Sequence, residues 1–338
     1  RGAGIAGLAL AVALNAFDDE QKFAVDLYEA ASELSETGAG INVWPRIWQC
    51  LKEIGLEETL IPLLDHYPDL EPRIVFEMRK ADQENGFKIT DAMKEGGILS
   101  IHRADFQRSF IEHLPLLGSN VKMSSICNLH LSHRLINYDF TATGHISLSF
   151  VDKPITTCDI LVGADGIKST VRRLFLTRLP NPEKYEMFLD PVWSGSMAYR
   201  ELVDKNELKK IDPGHRALDH PGLMHCVVYP VSGGKFMNVV AMAHDKSKKG
   251  AAWEGLWNQE VTQEEFLEKF KGWEDEFQAL IRVRSCISVH IKNIRPYVLR
   301  QCIPQPTRWA LHDLNHLDVF ANRRVFLLGD SVGSFHVY

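Results

Sequence analysis

The spacing of apolar residues predicts one amphipathic helix and one small antiparallel sheet in the first half of the chain. Over residues 104–114, Phe106, Phe110 and Leu114 recur every four positions and so share one face of a helix. Over residues 145–151 apolar and polar side chains alternate, which is typical of a strand with one buried face. Together with a similar stretch at residues 126–131, this pattern predicts a small β-meander.

The second half of the chain is richer in strand patterns. Runs of β-branched and aromatic residues at 192–202, 223–231 and 235–244 predict an antiparallel sheet. Helices are predicted at residues 262–271 and 273–282, the first opening with the capping pattern Thr-x-x-Glu. Three prolines within residues 177–191 separate this half from the preceding part, which predicts a domain boundary there.

The N-terminal stretch has the spacing of a dinucleotide-binding turn. Gly2, Gly4 and Gly7 fit G-x-G-x-x-G: the first glycine permits a tight turn, the second lets a pyrophosphate approach and the third lets the helix pack closely. A strand then ends at Glu29, where a carboxylate can accept hydrogen bonds from a ribose. Two alternatives stay open on these residues alone, a Gly- and Ala-rich helix without a ligand and part of a signal peptide.

Composition narrows the class of protein. The chain has 338 residues, 45% of them hydrophobic and 24% charged, which is typical of a globular protein. Its formal net charge of −6 gives no general electrostatic attraction for nucleic acid or an anionic membrane. The apolar run of residues 5–14 is too short to span a bilayer. Six cysteines without a C-x-x-C pair indicate reduced thiols and a cytoplasmic protein, and the histidine spacing predicts no metal site.

Other candidate ligand-binding positions lie at the ends of apolar runs, where α/β sheets bind ligands. The run 158–162, predicted to be one strand covered on both faces, leads into Asp165 and Gly166, and the run 324–328 leads into Gly329 and Asp330. Arg103 follows a strand and begins a helix. For Asp165 a helix N-cap, and for Arg103 a surface salt bridge, are the alternatives. The loop containing Ala39 and Gly40 is either a close approach to a ligand or a plain connection.

The glycine turn with Glu29, residues 163–166 and Leu328-Gly329-Asp330 together resemble the FAD-dependent aromatic monooxygenases of the para-hydroxybenzoate and salicylate hydroxylase type. The resemblance implies an α/β fold with a Rossmann-like FAD-binding domain, an inserted β-meander and a second α+β substrate domain with an antiparallel sheet. It places the FAD-binding domain at residues 1–176, the substrate domain at 177–306 and a return to the FAD-binding domain at 307–338.

The resemblance also implies roles for single residues in binding FAD. Gly2, Gly4, Gly7 and Glu29 would bind the ADP half of the cofactor, while Ala39, Gly40 and Arg103 would contact the cofactor further along. Asp165 and Gly166 are associated with the binding of both FAD and NAD(P)H. Gly329 and Asp330 would bind the ribityl or pyrophosphate region of FAD.

For catalysis, the family's oxidant is a flavin hydroperoxide made from reduced flavin and O2, with NADH or NADPH as transient co-substrate and a small aromatic substrate. His225 and Tyr229 lie four apart on a predicted strand, so both project from one face. We expect His225 to act as base or hydrogen-bond partner, Tyr229 as its relay and Arg200 as anchor for a carboxylate or phenolate. A core histidine and a packed tyrosine are the alternative.

The chain departs from the family pattern at both ends. In the family the Gly-Asp motif continues into Ala-Ala-His and a long helix, whereas residues 331–338 differ, and no apolar strand precedes Gly2. We therefore expect a chain truncated at both ends. Two other functions remain open: a flavin-dependent reductase or dehydrogenase of the same fold, and an inactive member that holds no FAD. The sequence does not predict the oligomeric state.

Overall fold

The computed structural model describes residues 2–18, 20, 22–34, 40–64, 66–114, 126–218, 226–231, 234–283 and 305–333. The helices in these ranges are α1 Ile5–Phe17, α2 Pro45–Glu53, α3 Glu57–Leu60, α4 Arg103–Glu112, α5 Thr170–Thr177, α6 Lys205–Ile211, α7 Gln263–Lys269 and α8 Asp275–Arg282. None of the helices in the described ranges is long and apolar enough to cross a membrane.

The strands in the same ranges are mostly short. They are β1 Ala24–Tyr28, β2 Gly40–Val43, β3 Pro72–Lys80, β4 Phe87–Glu95, β5 Leu99–His102, β6 Ile126–His130, β7 Leu135–Phe140, β8 Ile146–Phe150, β9 Thr156–Cys158, β10 Leu161–Gly163, β11 Val192–Asp204, β12 Cys226–Val231, β13 Phe236–His244, β14 Asn258–Glu260, β15 Thr307–Asp313, β16 Ala321–Asn322 and β17 Val325–Leu327.

These elements form two compact units that alternate along the chain. The first unit takes residues 1–35, 107–192 and 312–337, and the second takes residues 36–106 and 193–311. The domain boundaries expected from the sequence, at 176/177 and 306/307, stay a prediction.

The first unit combines short parallel sheets with an antiparallel meander. β1 pairs with β6 and β10 pairs with β17, both in parallel, as the predicted α/β fold requires. A meander is present as the sheet β7-β8-β9, and the stretch 145–151 belongs to it as predicted. The stretch 126–131 does not: it forms β6, which pairs in parallel with β1 instead. The alternating meander residues Ile146, Leu148 and Phe150 are buried in the same apolar core as Val171 and Phe175 of α5.

One predicted strand of the first unit is wrong. The apolar run 158–162 is divided, because β9 ends at Cys158 in the meander while β10 begins at Leu161 and pairs with β17. Asp159 and Ile160 connect the two sheets, and Ile160 is 53% exposed rather than covered on both faces. Apolar composition alone does not separate a buried strand from a connection that carries an exposed isoleucine.

The second unit is organised around the predicted antiparallel sheet, whose strand order is β12-β13-β11-β15-β14. The side chains of one face, including Val228 and Val239, form a core with Phe266 of α7 and Phe277 of α8. Helix α7 begins as predicted, because the Thr262 hydroxyl accepts the backbone N–H of Glu265 at 3.1 Å. The other face of the sheet carries a smaller apolar group with Leu202, Tyr229 and Val231.

Candidate functional site

The three glycines before α1 have different surroundings. Gly2 has a φ of +102°, and a Cβ at Gly2 would overlap the carbonyl oxygen of Ala164. A Cβ at Gly7 would overlap the carbonyl oxygen of Gly2. At Gly4, by contrast, no atom of the described residues other than its chain neighbours lies within 4 Å of the Cβ position. The first and third glycines are therefore required by packing, whereas the second faces open space.

Helix α1 begins at this open space, and no side chain of the described residues caps its first N–H groups. Its N-cap residue Gly4 has no side chain to accept the first N–H groups, and its first turn contains no acidic residue. Uncapped N–H groups and the positive end of the helix dipole favour an anion there. The protein itself supplies no such anion from the first turn.

Glu29 lies beside the same turn, at the end of β1. Its carboxylate accepts the backbone N–H of Ala3 and the backbone N–H of Ala31, each at 3.0 Å. The backbone N–H of Gly2 is held by the carbonyl of Tyr28 at 2.9 Å. Each carboxylate oxygen keeps a lone pair for a further donor. The predicted role of Glu29 towards ribose hydroxyls stays a prediction.

The Asp165 side chain is engaged by its own helix. It accepts the N–H groups of Thr170 at 2.8 Å and Val171 at 3.2 Å, and it also accepts the Ser169 hydroxyl. The carboxylate thus stabilises the start of α5, which is the alternative that the sequence left open. Gly166 has a φ of +75°, and among the described residues only its chain neighbours have atoms within 4 Å of a Cβ there, so the backbone after Asp165 is open on that side.

The Gly-Asp turn near the C-terminus reaches the same place. Gly329 has a φ of +66°, and a Cβ there would lie 2.8 Å from the Cβ of Ala6 in α1. The hydroxyl of Ser331 donates to the carbonyl of Gly163 at 2.6 Å, and Asp330 is exposed. The three motifs that are far apart in sequence, at residues 2–7, 163–166 and 328–330, therefore meet at the N-terminus of α1.

A buried arginine, which the sequence did not indicate, holds two of these motifs. Arg172 is 1% exposed, and its guanidinium donates to the carbonyls of Ile167 at 2.7 Å, Phe188 at 3.1 Å and Ser331 at 3.3 Å. Burial lowers the pKa of Arg172, and the negative charge of Asp165 opposes this. The planar fork of arginine suits several carbonyls at once, so Arg172 fixes the loop after Asp165 and the Gly-Asp turn together.

In the second unit, Gly40 and Arg103 lie at the ends of two paired strands. Gly40 in β2 is directly opposite His102 in β5, and Arg103 begins α4 with an exposed side chain. A Cβ at Gly40 would overlap the ring of Tyr229. This close packing explains Gly40 without a ligand, and Ala39 lies outside the described residues.

Arg200 and Tyr229 share one face of the antiparallel sheet of the second unit. The Arg200 guanidinium lies 4.8 Å from the centre of the Trp309 ring, and its Nε is buried with no hydrogen-bond partner among the described residues. Burial lowers the pKa of Arg200, the Tyr229 hydroxyl opposes this, and the charge of Arg103 adds to it. The charge of Arg103 acting on the buried Arg200 guanidinium adds positive potential, which favours an anion.

Asn238, which sequence reasoning missed, is directly opposite Tyr229 across the strand pair β12–β13. It is 1% exposed, and its buried Oδ1 has no hydrogen-bond partner among the described residues. Burial raises the pKa of Tyr229, whereas Arg200 and Asn238 lower it. No sequence pattern indicates Asn238, because its position next to Tyr229 depends on how β12 and β13 pair. His225 lies outside the described residues, so its predicted role as base stays a prediction.

No group of three or more His, Cys, Asp or Glu residues within the described ranges is placed to hold a metal ion. The polar groups at both candidate sites are backbone N–H groups, arginines, a tyrosine and carboxylates. Such groups bind organic anions and sugar hydroxyls.

Comparison with known proteins agrees with this arrangement, although no family model matches the chain. A salicylate hydroxylase of Pseudomonas putida is 30% identical over 347 residues, which cover 98% of this chain and 70% of that protein. A 6-methylsalicylate 1-monooxygenase of Aspergillus terreus is 25% identical over 98% of this chain and 67% of that protein. A solved structure described as a salicylate hydroxylase substrate complex superposes with a TM-score of 0.72 at 27% identity, covering 98% of this chain and 72% of that one. The chain belongs to the FAD-dependent aromatic monooxygenases, the family of the salicylate hydroxylases.

Proposed function

We propose that this protein is an FAD-dependent aromatic hydroxylase that consumes NADH or NADPH and O2 and takes a phenolic or benzoate-like substrate. The observation that carries this proposal is the meeting of three glycine motifs at the uncapped start of α1, with Glu29 beside them. The similarity to salicylate and 6-methylsalicylate hydroxylases supports the aromatic substrate.

The residues of the first unit fit the ADP half of FAD. The open space at Gly4 leaves room for a pyrophosphate, and the first N–H groups of α1 offer donors to it. Glu29 offers acceptors for ribose hydroxyls, and the backbone after Asp165 and at Gly329-Asp330 lines the same space. When bound, FAD would supply the redox chemistry that accepts hydride from NAD(P)H and transfers one oxygen atom of O2 to the ring.

The residues of the second unit fit an anionic ring substrate. Arg200 offers its unpaired Nε–H, and the guanidinium stays charged at any physiological pH. The Tyr229 hydroxyl lies on the same face as Arg200, next to Asn238 of the paired strand, and as a phenol it can donate its hydrogen. Both groups therefore donate to a carboxylate or phenolate, and a ring held in this way has the electron-rich form that hydroxylation requires. We propose His225 as the base that takes the phenol proton.

We also infer a cytoplasmic location. The described cysteines Cys50, Cys127, Cys158 and Cys226 are all free thiols, which supports a reducing compartment.

The test is hydroxylation by the purified full chain. The protein is reconstituted with FAD, its visible spectrum is recorded, and NADH or NADPH oxidation is followed with a panel of salicylates, hydroxybenzoates and phenols under 18O2. We expect bound flavin, oxidation stimulated by an aromatic acid, and one 18O atom in the product. Stimulated oxidation of NAD(P)H without 18O in any product would instead indicate a reductase or dehydrogenase. A protein that binds no flavin would contradict the proposal altogether.

A further inference from the structure

Helix α4 contributes one polar side chain to the glycine turn. Gln107 is the fifth residue of α4 and is 9% exposed. Its amide nitrogen Nε2 donates to the carbonyl oxygen of Ala3 at 3.3 Å, across 104 residues of sequence. A buried amide aimed at the backbone of another element fixes that backbone, because losing the bond would leave a buried carbonyl unpaired.

The peptide groups of Ala3 are thereby held on two sides. The Ala3 N–H is bound by Glu29 at 3.0 Å, and the Ala3 carbonyl is bound by Gln107 at 3.3 Å. One residue earlier, the Gly2 N–H is bound by Tyr28 at 2.9 Å. Three of the four backbone polar groups of Gly2 and Ala3 are therefore paired with the protein.

Planarity of the peptide bond carries this restraint to the next residue. The described chain contains no cis peptide bond, so the N–H of Gly4 points away from the Ala3 carbonyl in the same peptide plane. Since Gln107 holds that carbonyl, the Gly4 N–H is turned away from Gln107. Among the described residues, only the chain neighbours of Gly4 have atoms within 4 Å of its Cβ position.

We propose that Gln107 is a positioning residue for the dinucleotide turn: by holding the Ala3 carbonyl it orients the Gly4 N–H as a donor for a pyrophosphate. This inference rests on the proposed binding of FAD. It adds a residue of α4 to a turn whose sequence pattern lies entirely in residues 2–7. Gln107 does not touch the cofactor in this role but acts through the Ala3–Gly4 peptide.

The test compares two substitutions of similar size in the full chain. Gln107→Met removes the donor at every pH. Gln107→Glu lacks a donor when the carboxylate is ionised, but the neutral carboxylic acid has an O–H that can donate to the Ala3 carbonyl. The matched control is Glu112→Gln at the exposed end of the same helix.

Equilibrium binding of FAD and of ADP to the flavin-free chain is measured at pH 8 and pH 5. At pH 8 we expect both Gln107 variants to bind each ligand about tenfold more weakly than wild type, the usual effect of one hydrogen bond. At pH 5 Gln107→Glu should recover most of its affinity, whereas Gln107→Met should not. Wild-type affinity in both variants, or equal losses at both pH values, would overturn the positioning role.

A second measurement does not depend on FAD. Backbone hydrogen exchange is followed in a peptide containing residues 2–8 of the ligand-free chain at pH 8. We expect this peptide to exchange faster in the two Gln107 variants than in the wild type or the Glu112→Gln control. Unchanged exchange would refute the inference even if FAD binds. Faster exchange in a chain that binds no FAD would support the role of Gln107 in the turn while contradicting the proposed function.

Discussion

The carboxylate of Glu29 accepts the backbone N–H of Ala3 at 3.0 Å, so the acid that closes the dinucleotide motif also holds the turn that opens it. The same carboxylate accepts the N–H of Ala31 through its other oxygen, also at 3.0 Å. One side chain therefore connects the end of β1 to the start of α1. Its removal affects both the proposed ribose contact and the shape of the turn.

Glu29→Ala should weaken FAD binding by about 1.5–3 kcal/mol, the range for hydrogen bonds to a charged group. Glu29→Gln should lose less, because the amide oxygen can still accept the Ala3 N–H. The measurement is the dissociation constant of FAD from flavin fluorescence. Equal affinity in wild type and Glu29→Ala would remove Glu29 from the site.

Arg103→Ala should lower flavin retention. Arg103 is exposed at the start of α4, and no acidic partner for it lies among the described residues, so the salt-bridge alternative finds no support there. The matched control is Arg173→Ala, since Arg173 is an exposed helical arginine that is paired with Asp190. Flavin content per chain after gel filtration checks the prediction, and full retention with native absorbance would reduce Arg103 to a surface charge.

Arg200→Met should raise the KM for a benzoate-like substrate about 10- to 150-fold with flavin content unchanged, because a charge-assisted hydrogen bond to the substrate is lost. Arg200→Lys should recover only part of this loss, since an ammonium lacks the planar fork that stacks on Trp309. Arg308→Lys is the control, because Arg308 is paired with Glu265. If Arg200→Met lost flavin and activity together, the residue would be structural rather than an anchor.

Asn238→Leu should raise the pKa of Tyr229 further, because the Asn238 amide lowers that pKa. Ultraviolet titration of tyrosinate measures this, and the wild-type curve minus that of Tyr229→Phe isolates Tyr229. Substrate turnover should fall in both single variants. An unshifted titration of Tyr229 in Asn238→Leu would show that the amide does not control the hydroxyl.

The parts of the site that depend on local backbone geometry could be predicted from the sequence. At Gly2, Gly7 and Gly329 a side chain would overlap a neighbouring backbone atom or an atom of α1, so only glycine fits. Positions of this kind can be recognised in a sequence because the glycine itself marks them. Arg103 was predicted at a strand-to-helix corner and lies there, between β5 and α4. Their assignment to the cofactor stays a prediction.

The residues that the sequence did not indicate act over long sequence distances. Gln107 reaches Ala3 across 104 residues, and Arg172 reaches Ser331 across 159. A glutamine or arginine inside a helix has no pattern that distinguishes such a contact from a solvated side chain. Gly40 was predicted to approach a ligand, but in the structure the ring of Tyr229 packs against it and also explains the glycine. The sequence did not indicate this contact because Tyr229 lies 189 positions further along the chain.

Glu201 should make the stability of the protein depend on pH. It lies on β11 and is 4% exposed, and one of its carboxylate oxygens has no partner among the described residues. Burial raises the pKa of Glu201 from 4.5 to about 8, an effect that the neighbouring Gln263 only partly opposes. Between these values the folded chain holds a proton that the unfolded chain has released, so the free energy of unfolding should fall as the pH rises through this window, by at most about 1.4 kcal/mol per pH unit.

Glu201→Gln, which is neutral at every pH, should remove this part of the pH dependence. The variant should be more stable than wild type at pH 8 but not at pH 4.5. Urea unfolding at pH 4.5, 6 and 8 measures the difference, with Glu268→Gln on the exposed side of α7 as control. If wild type and Glu201→Gln kept a constant difference across the three pH values, the Glu201 carboxyl would titrate alike in the folded and unfolded chains, and its burial beneath α7 would have no effect on its proton.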